Sequence, residues 1–120
     1  MDKKKRGAYR RKIKGERPKR AVESQFNGEF RYNNSKMIGG HPTFIFKKDE
    51  TIFWCFVLTH SPRTRGKDNI VLTQSPNPED PQKQYLRPVI IQSHRDNFGK
   101  ILEDWEFHKE DIALVIKLIK

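Results

Sequence analysis

The chain has 120 residues, 34% apolar and 33% charged, which suffices for one domain with a modest core and is too short for two. Its formal charge of +10 is unevenly placed: residues 1–20 hold 11 Lys or Arg against Asp2 and Glu16, while the other hundred hold 14 basic and 13 acidic groups. No apolar run approaches the ~20 residues of a membrane helix, and no apolar stretch follows the basic start as in a secretory signal, so a cytoplasmic protein without a membrane partner is expected.

Residues 1–24 read as a basic arm and 25–120 as a single domain. Within residues 1–20 the apolar positions Met1, Ala8, Tyr9 and Ile13 follow no period. Such a segment does not bury enough surface to offset its ordering entropy and is expected to be disordered alone. Phe26, Phe30 and Tyr32 alternate loosely with polar residues and predict a short strand near 28–32. From His41 the pattern tightens. Thr43–Lys47 and Thr51–Thr59 are aromatic and β-branched runs around Lys48-Asp49-Glu50, the signature of a β-hairpin. The second run is apolar throughout, which predicts a central strand covered on both faces, with Trp54 buried and Cys55 a small core residue. A single cysteine excludes an internal disulfide framework and a multi-cysteine zinc site.

Ser61–Asp68 reads as a polar loop and Asn69–Thr73 as a third strand. Pro76, Pro78 and Pro81 exclude regular structure between Ser75 and Lys83. Tyr85–Gln92 reads as a fourth strand in which Pro88 requires an edge position or a bulge. Asn97–Leu102 suggests a short helical turn. A terminal helix over 109–120 follows from Ile112, Val115, Ile116 and Ile119, spaced i, i+3, i+4, i+7, with Trp105 partly buried beneath it. Glu110 and Asp111 in its first turn and Lys117 and Lys120 in its last suit the helix dipole. Short strands joined without crossover helices imply a mainly β fold with antiparallel pairing, a small barrel or half-barrel closed by one helix.

From His41 onward the order of features resembles the MazF/PemK endoribonuclease toxins. His41-Pro42-Thr43-Phe44-Ile45-Phe46 stands where that family opens a strand with Arg-Pro, and Phe56-Val57-Leu58-Thr59-His60-Ser61 where an apolar strand runs into hydroxyl residues. Tyr85–Arg95, Asn97–Leu102 and Lys109–Lys120 are similar in kind and order to the family's later strand, helical turn and last helix, and Trp105 lies in the link before that helix. Two departures stand out: His41 replaces an arginine commonly treated as catalytic, and a long basic arm precedes the first strand. The resemblance implies an SH3-like barrel, cleavage of single-stranded RNA, an antitoxin or other protein partner, and a homodimer.

Metal-free RNA cleavage needs a base for the 2′-hydroxyl, an acid for the leaving 5′-oxygen and donors for the phosphorane. Histidine suits both proton roles near neutral pH. His41 and His60 fall near one end of the expected hairpin; Thr59 adds a hydroxyl, and Arg63, with Arg65 and Lys67, can hold a phosphate. His41, Thr59, His60 and Arg63 are therefore the candidate catalytic set. The same residues also read as strand-end, turn and solvated-loop material. His94 and His108 read as surface residues. The acidic cluster from Glu103 to Asp111 reads as a solvated link with favourable helix-start charge, so neither metal nor cofactor is expected. In the arm, Lys3, Lys4, Lys5, Arg6, Arg10, Arg11 and Lys12 are candidate phosphate contacts for RNA or DNA, and Tyr9 and Tyr32 candidate base-stacking rings. Two other functions fit the same sequence: a non-catalytic nucleic-acid-binding barrel, and an inhibitor or accessory protein of a mobile element.

Overall fold

The computed structural model describes residues 28–120; Tyr9, Phe26 and all the basic residues of the N-terminal arm lie outside them. In chain order the elements are β1 (Glu29–Asn33), β2 (His41–Lys48), β3 (Ile52–Thr59), β4 (Arg63–Thr64), β5 (Lys67–Asp68), β6 (Ile70–Val71), β7 (Tyr85–Leu86), β8 (Ile91–His94), a 3-10 turn at Arg95–Asn97 and a terminal helix α1 (Lys109–Ile119). The fold is mainly antiparallel β with one C-terminal helix, as the strand spacing predicts. Among the described residues no helix is long and apolar enough to cross a membrane.

β2 and β3 form the expected hairpin. Asp49 closes its turn, accepting from the backbone N–H of Ile52 at 2.6 Å and of Thr51 at 2.8 Å. Those two bonds favour the ionised carboxyl and hold it below its ordinary value of 3.8. β1 lies antiparallel on the outer edge of β2, entered through Gly28, where a Cβ would overlap the Phe44 ring. β7 and β8 both pair with the other edge of β3, β7 at Leu58–Thr59 and β8 at Ile52–Cys55. Tyr85–Gln92 is thus two strands rather than one. Pro88 has no N–H for the ladder, and Val89 N–H turns back to the Arg87 carbonyl at 2.8 Å across it. Past β8 the chain returns along β1: Asn34 N–H bonds Asn97 O, Gly99 N–H bonds Tyr32 O, and Leu102 N–H bonds Phe30 O, all within 2.9 Å. Residues 98–102 are accordingly extended against β1, and the helical turn expected at 97–102 is a 3-10 turn placed slightly earlier. Among the described residues the ladders do not close into a continuous barrel.

Alternation along β3 divides its apolar run between two cores. Phe56 and Leu58 face α1 with Phe30, Phe44, Leu72, Leu86, Phe107 and Val115. Phe30, Phe44 and Phe107 meet there with ring centroids 4.8–5.0 Å apart. On the opposite face Phe53 and Cys55 pack with Ile45, Ile91 and Phe98. Burial pushes the Cys55 thiol up to about 12, so the residue is an inert core group. A polar strut crosses this second face: fully buried Asn33 and half-buried Asn97 both donate to Ser93 Oγ at 3.0 Å, tying β1, β8 and the 3-10 turn together.

Two apolar expectations shift. Trp54 is half-buried, its ring under the Lys47 ammonium at 4.7 Å. On α1 the inward face is Val115 with Ile112, Leu118 and Ile119, whereas Ile116 lies outside that packing, beside Ala113, Lys117 and Lys120. Asp111 completes the inward face. It is 3% exposed and accepts from Thr73 N–H at 3.0 Å through both carboxylate oxygens, which pins the helix start to the chain leaving β6. Val115→Asp is expected to abolish cooperative unfolding, because it buries an unpaired charge. Ile116→Asp is expected to melt close to wild type; thermal denaturation followed by circular dichroism checks both.

Candidate functional site

The strand register decides which candidate residues share a surface. Phe44 and Phe56 stand opposite each other on the helix-side face, so Thr43 and Val57, the next opposed pair, face the other way. His41 lies two residues before Thr43 and opposite Asn33, on that second face. His60 lies two residues after Leu58, on the helix-side face. It falls in step with Gln84, which stands two residues before Leu86, the β7 partner of Leu58. The two imidazoles therefore sit toward one end of the sheet but on opposite faces.

Each member of the expected set has a definite place. His41 is exposed and pairs with β1 at Asn33. Thr59 is 8% exposed, and its hydroxyl oxygen accepts from Ser61 N–H at 3.1 Å, a turn contact. Arg63 belongs to a hairpin of β4 and β5 within the segment expected to be a polar loop. Arg65 (φ 54°) and Gly66 (φ 78°) form its two-residue turn, the left-handed pair that matches strand twist. Arg63 bonds the Gly66 carbonyl and pairs with Asp68 at 3.1 Å, so its guanidinium is engaged inside the hairpin. Asn69 closes the base, donating to Pro62 O at 2.8 Å from its backbone and to Thr64 Oγ1 at 2.8 Å from its amide. Arg65 and Lys67 are exposed and form no ion pair with another described residue. Lys3, Lys4, Lys5, Arg6, Arg10, Arg11 and Lys12 lie outside the described residues.

His60 has partners that the sequence does not suggest. Its Nε2 lies 2.8 Å from Asp80 Oδ2, with Gln84 Nε2 at 3.1 Å from the same ring nitrogen. A carboxylate only accepts, so the proton is assigned to His60 Nε2 and the ring's Nδ1 is left as the basic atom; the Gln84 amide nitrogen, itself a donor, then bonds Asp80 Oδ2 at 3.5 Å and not the protonated ring nitrogen. Asp80 is further held by Gln82 N–H at 2.9 Å. That backbone bond and then the bond from His60 lower its carboxyl pKa from 3.8. Gln84 is 2% exposed, and its Oε1 is buried without a partner among the described residues. The arrangement is an imidazole oriented by a carboxylate, the geometry of a general base. It also clasps the proline-rich 75–83 loop to the end of β3. Among the described residues no group of three or more His, Cys, Asp or Glu side chains is placed to hold a metal.

No family model, curated protein or solved structure matches this chain. The likeness to the MazF/PemK toxins rests on the residue pattern alone.

The clasp has a pH signature. Because the folded-state pKa of Asp80 is lowered, its stabilisation is complete above the unfolded value of 3.8 and is lost as pH falls through the folded value. Asp80→Asn is expected to lower the melting temperature at neutral pH, and the gap to wild type should narrow as pH falls below 3.8. An equal gap at every pH would show that Asp80 contributes through shape rather than charge.

Proposed function

We propose that this chain binds nucleic acid, with a nearly neutral β domain that positions the strand and a basic N-terminal segment that supplies most of the affinity. The observation that carries this reading is the partition of charge. Eleven of 25 cations lie in the first twenty residues, ahead of a nearly neutral remainder. Solubility does not need that density on one short segment, whereas phosphate neutralisation does. The exposed Arg65 and Lys67 on the β4–β5 turn add a second, smaller positive site. An SH3-like barrel is the finer architecture that goes with this reading, supported by the return of residues 97–102 along β1.

The His60–Asp80 pair favours a second reading, a metal-independent endoribonuclease of the MazF/PemK type with His60 as general base. A protein antitoxin and a homodimer belong to that reading. It runs through His60 without His41, since the two rings occupy opposite faces.

Deleting residues 1–24 should leave the domain folded and weaken binding to single-stranded oligonucleotides. The slope of log affinity against log salt should flatten by about 0.7 for each phosphate that the segment neutralises. Fluorescence anisotropy at several salt concentrations measures this, and an unchanged slope would remove the role given to the segment. For the second reading, His60→Ala should reduce RNA cleavage by ~10²–10⁴-fold while His41→Ala leaves it intact. A gel assay with both variants decides between two-histidine and one-histidine chemistry.

A further inference from the structure

A row of three side chains crosses the sheet at the end where the basic segment joins it. The register places Lys47 opposite Trp54 on the neighbouring strand, and Trp54 opposite Gln92 on the next. Lys47 and Gln92 are exposed, and Trp54 is half-buried between them. A bulge between Ile45 and Lys47 turns Lys47 toward Trp54, and its ammonium rests 4.7 Å from the ring centroid. Elsewhere on this strand Phe53, Cys55, Phe56, Val57 and Leu58 are all buried. Trp54 alone keeps part of a large aromatic surface at the margin.

We infer that Lys47, Trp54 and Gln92 form a base-stacking platform for single-stranded nucleic acid, which deepens the binding reading proposed above and rests on it. Each member supplies one of the contacts that such recognition uses. The indole offers a π-face to a base, the ammonium can leave the ring for a phosphate, and the Gln92 amide can donate to and accept from a base edge. Charge and position favour this occupant. Residues 1–27, with their net positive charge, join β1 at Gly28, beside Phe44 and Ile45, at the hairpin-turn end where Lys47 and Lys48 also lie. Lys48 is already paired with Glu29 at 3.1 Å, whereas Lys47 forms no ion pair within 4 Å among the described residues, although Asp49 lies near enough to feel its charge. The Trp54 row therefore lies at the end of the sheet to which the basic segment is joined.

The experiment uses the full chain carrying Trp105→Phe, so that Trp54 is the one indole, with its fold checked by circular dichroism. Titration with short oligo-uridylate or oligo-thymidylate should quench Trp54 fluorescence along the same isotherm that anisotropy of the labelled oligonucleotide reports. With Trp105 intact, Trp54→Ala should weaken binding roughly 5- to 150-fold, the range for removal of one base stack. Trp54→Phe should recover part of that loss. Gln92→Ala, a change at an exposed position, should weaken binding by a smaller factor without moving the melt. Quenching by both oligomers assigns the platform to single strands in general, and quenching by the uridylate alone assigns it to RNA. Binding seen by anisotropy with Trp54 fluorescence unchanged, or with Trp54→Ala as tight as wild type, would overturn the platform and leave the binding reading standing. No binding by the parent chain at low salt would overturn both.

Discussion

Everything in this fold follows from one strand that must be covered on both faces. β3 runs Ile-Phe-Trp-Cys-Phe-Val-Leu-Thr with no charged side chain, so neither face can be left to water. Neither can its two backbone edges, since a buried N–H or C=O without a partner costs about as much as a lost hydrogen bond. The hairpin with β2 covers one edge. The other is shared by β7 and β8, which meet β3 at different heights because Pro88 interrupts what would be a single long partner. Two separate cores then cover the faces. α1 and Phe107 close one, and the segment that returns along β1 brings Phe98 into the other.

That constraint explains why much of the architecture is legible in the residues. A continuous apolar run with a polar turn before it specifies a central hairpin strand, and the i, i+3, i+4, i+7 spacing near the end specifies a helix. The face of that helix is less determined. Ile112, Val115 and Ile119 fit the same stripe with either Ile116 or Leu118, and the contact of buried Asp111 with Thr73 selects the rotation that turns Leu118 inward. By its position alone Asp111 is a dipole charge in the first turn. Nothing local shows that its carboxylate answers backbone N–H groups 38 residues away.

The candidate site is legible only in part, for a related reason. Periodicity places His41 and His60 toward one end of a hairpin, but opposite faces become apparent only when the strand register is known. A slip of one residue between β2 and β3 would bring both rings to one face. Asp80 and Gln84 come 20 and 24 residues after His60, beyond a proline-rich loop, and meet it only because Leu58 pairs with Leu86. The β4–β5 hairpin is hidden because Arg65 takes a conformation that usually signals Asn or Gly. Trp54 misleads for the opposite reason. Its neighbours are all core residues, yet the helix-side cluster gathers around Phe56 and Leu58 and leaves Trp54 out.

The junction of the basic segment and the His60–Asp80 pair lie toward different ends of the sheet. β1 runs from Glu29, next to Gly28 at the hairpin-turn end, to Asn33, opposite His41, at the other end. Its five residues span about 17 Å at the usual rise per residue. The basic segment joins at the first end, and the His60–Asp80 pair lies toward the second. Around His60 the described cations are few: Arg63 is tied to Asp68, and Arg65, Lys67 and Lys83, the neighbour of Gln84, are exposed without an ion pair among the described residues. So few free cations release too few counterions to hold a polyanion at physiological salt, so on the proposed reading that end does not bind a strand tightly by itself. On the proposed binding reading, affinity comes from the basic segment and placement from the sheet. Whichever face of the sheet a bound strand follows can bring only one of the two histidines to its phosphates.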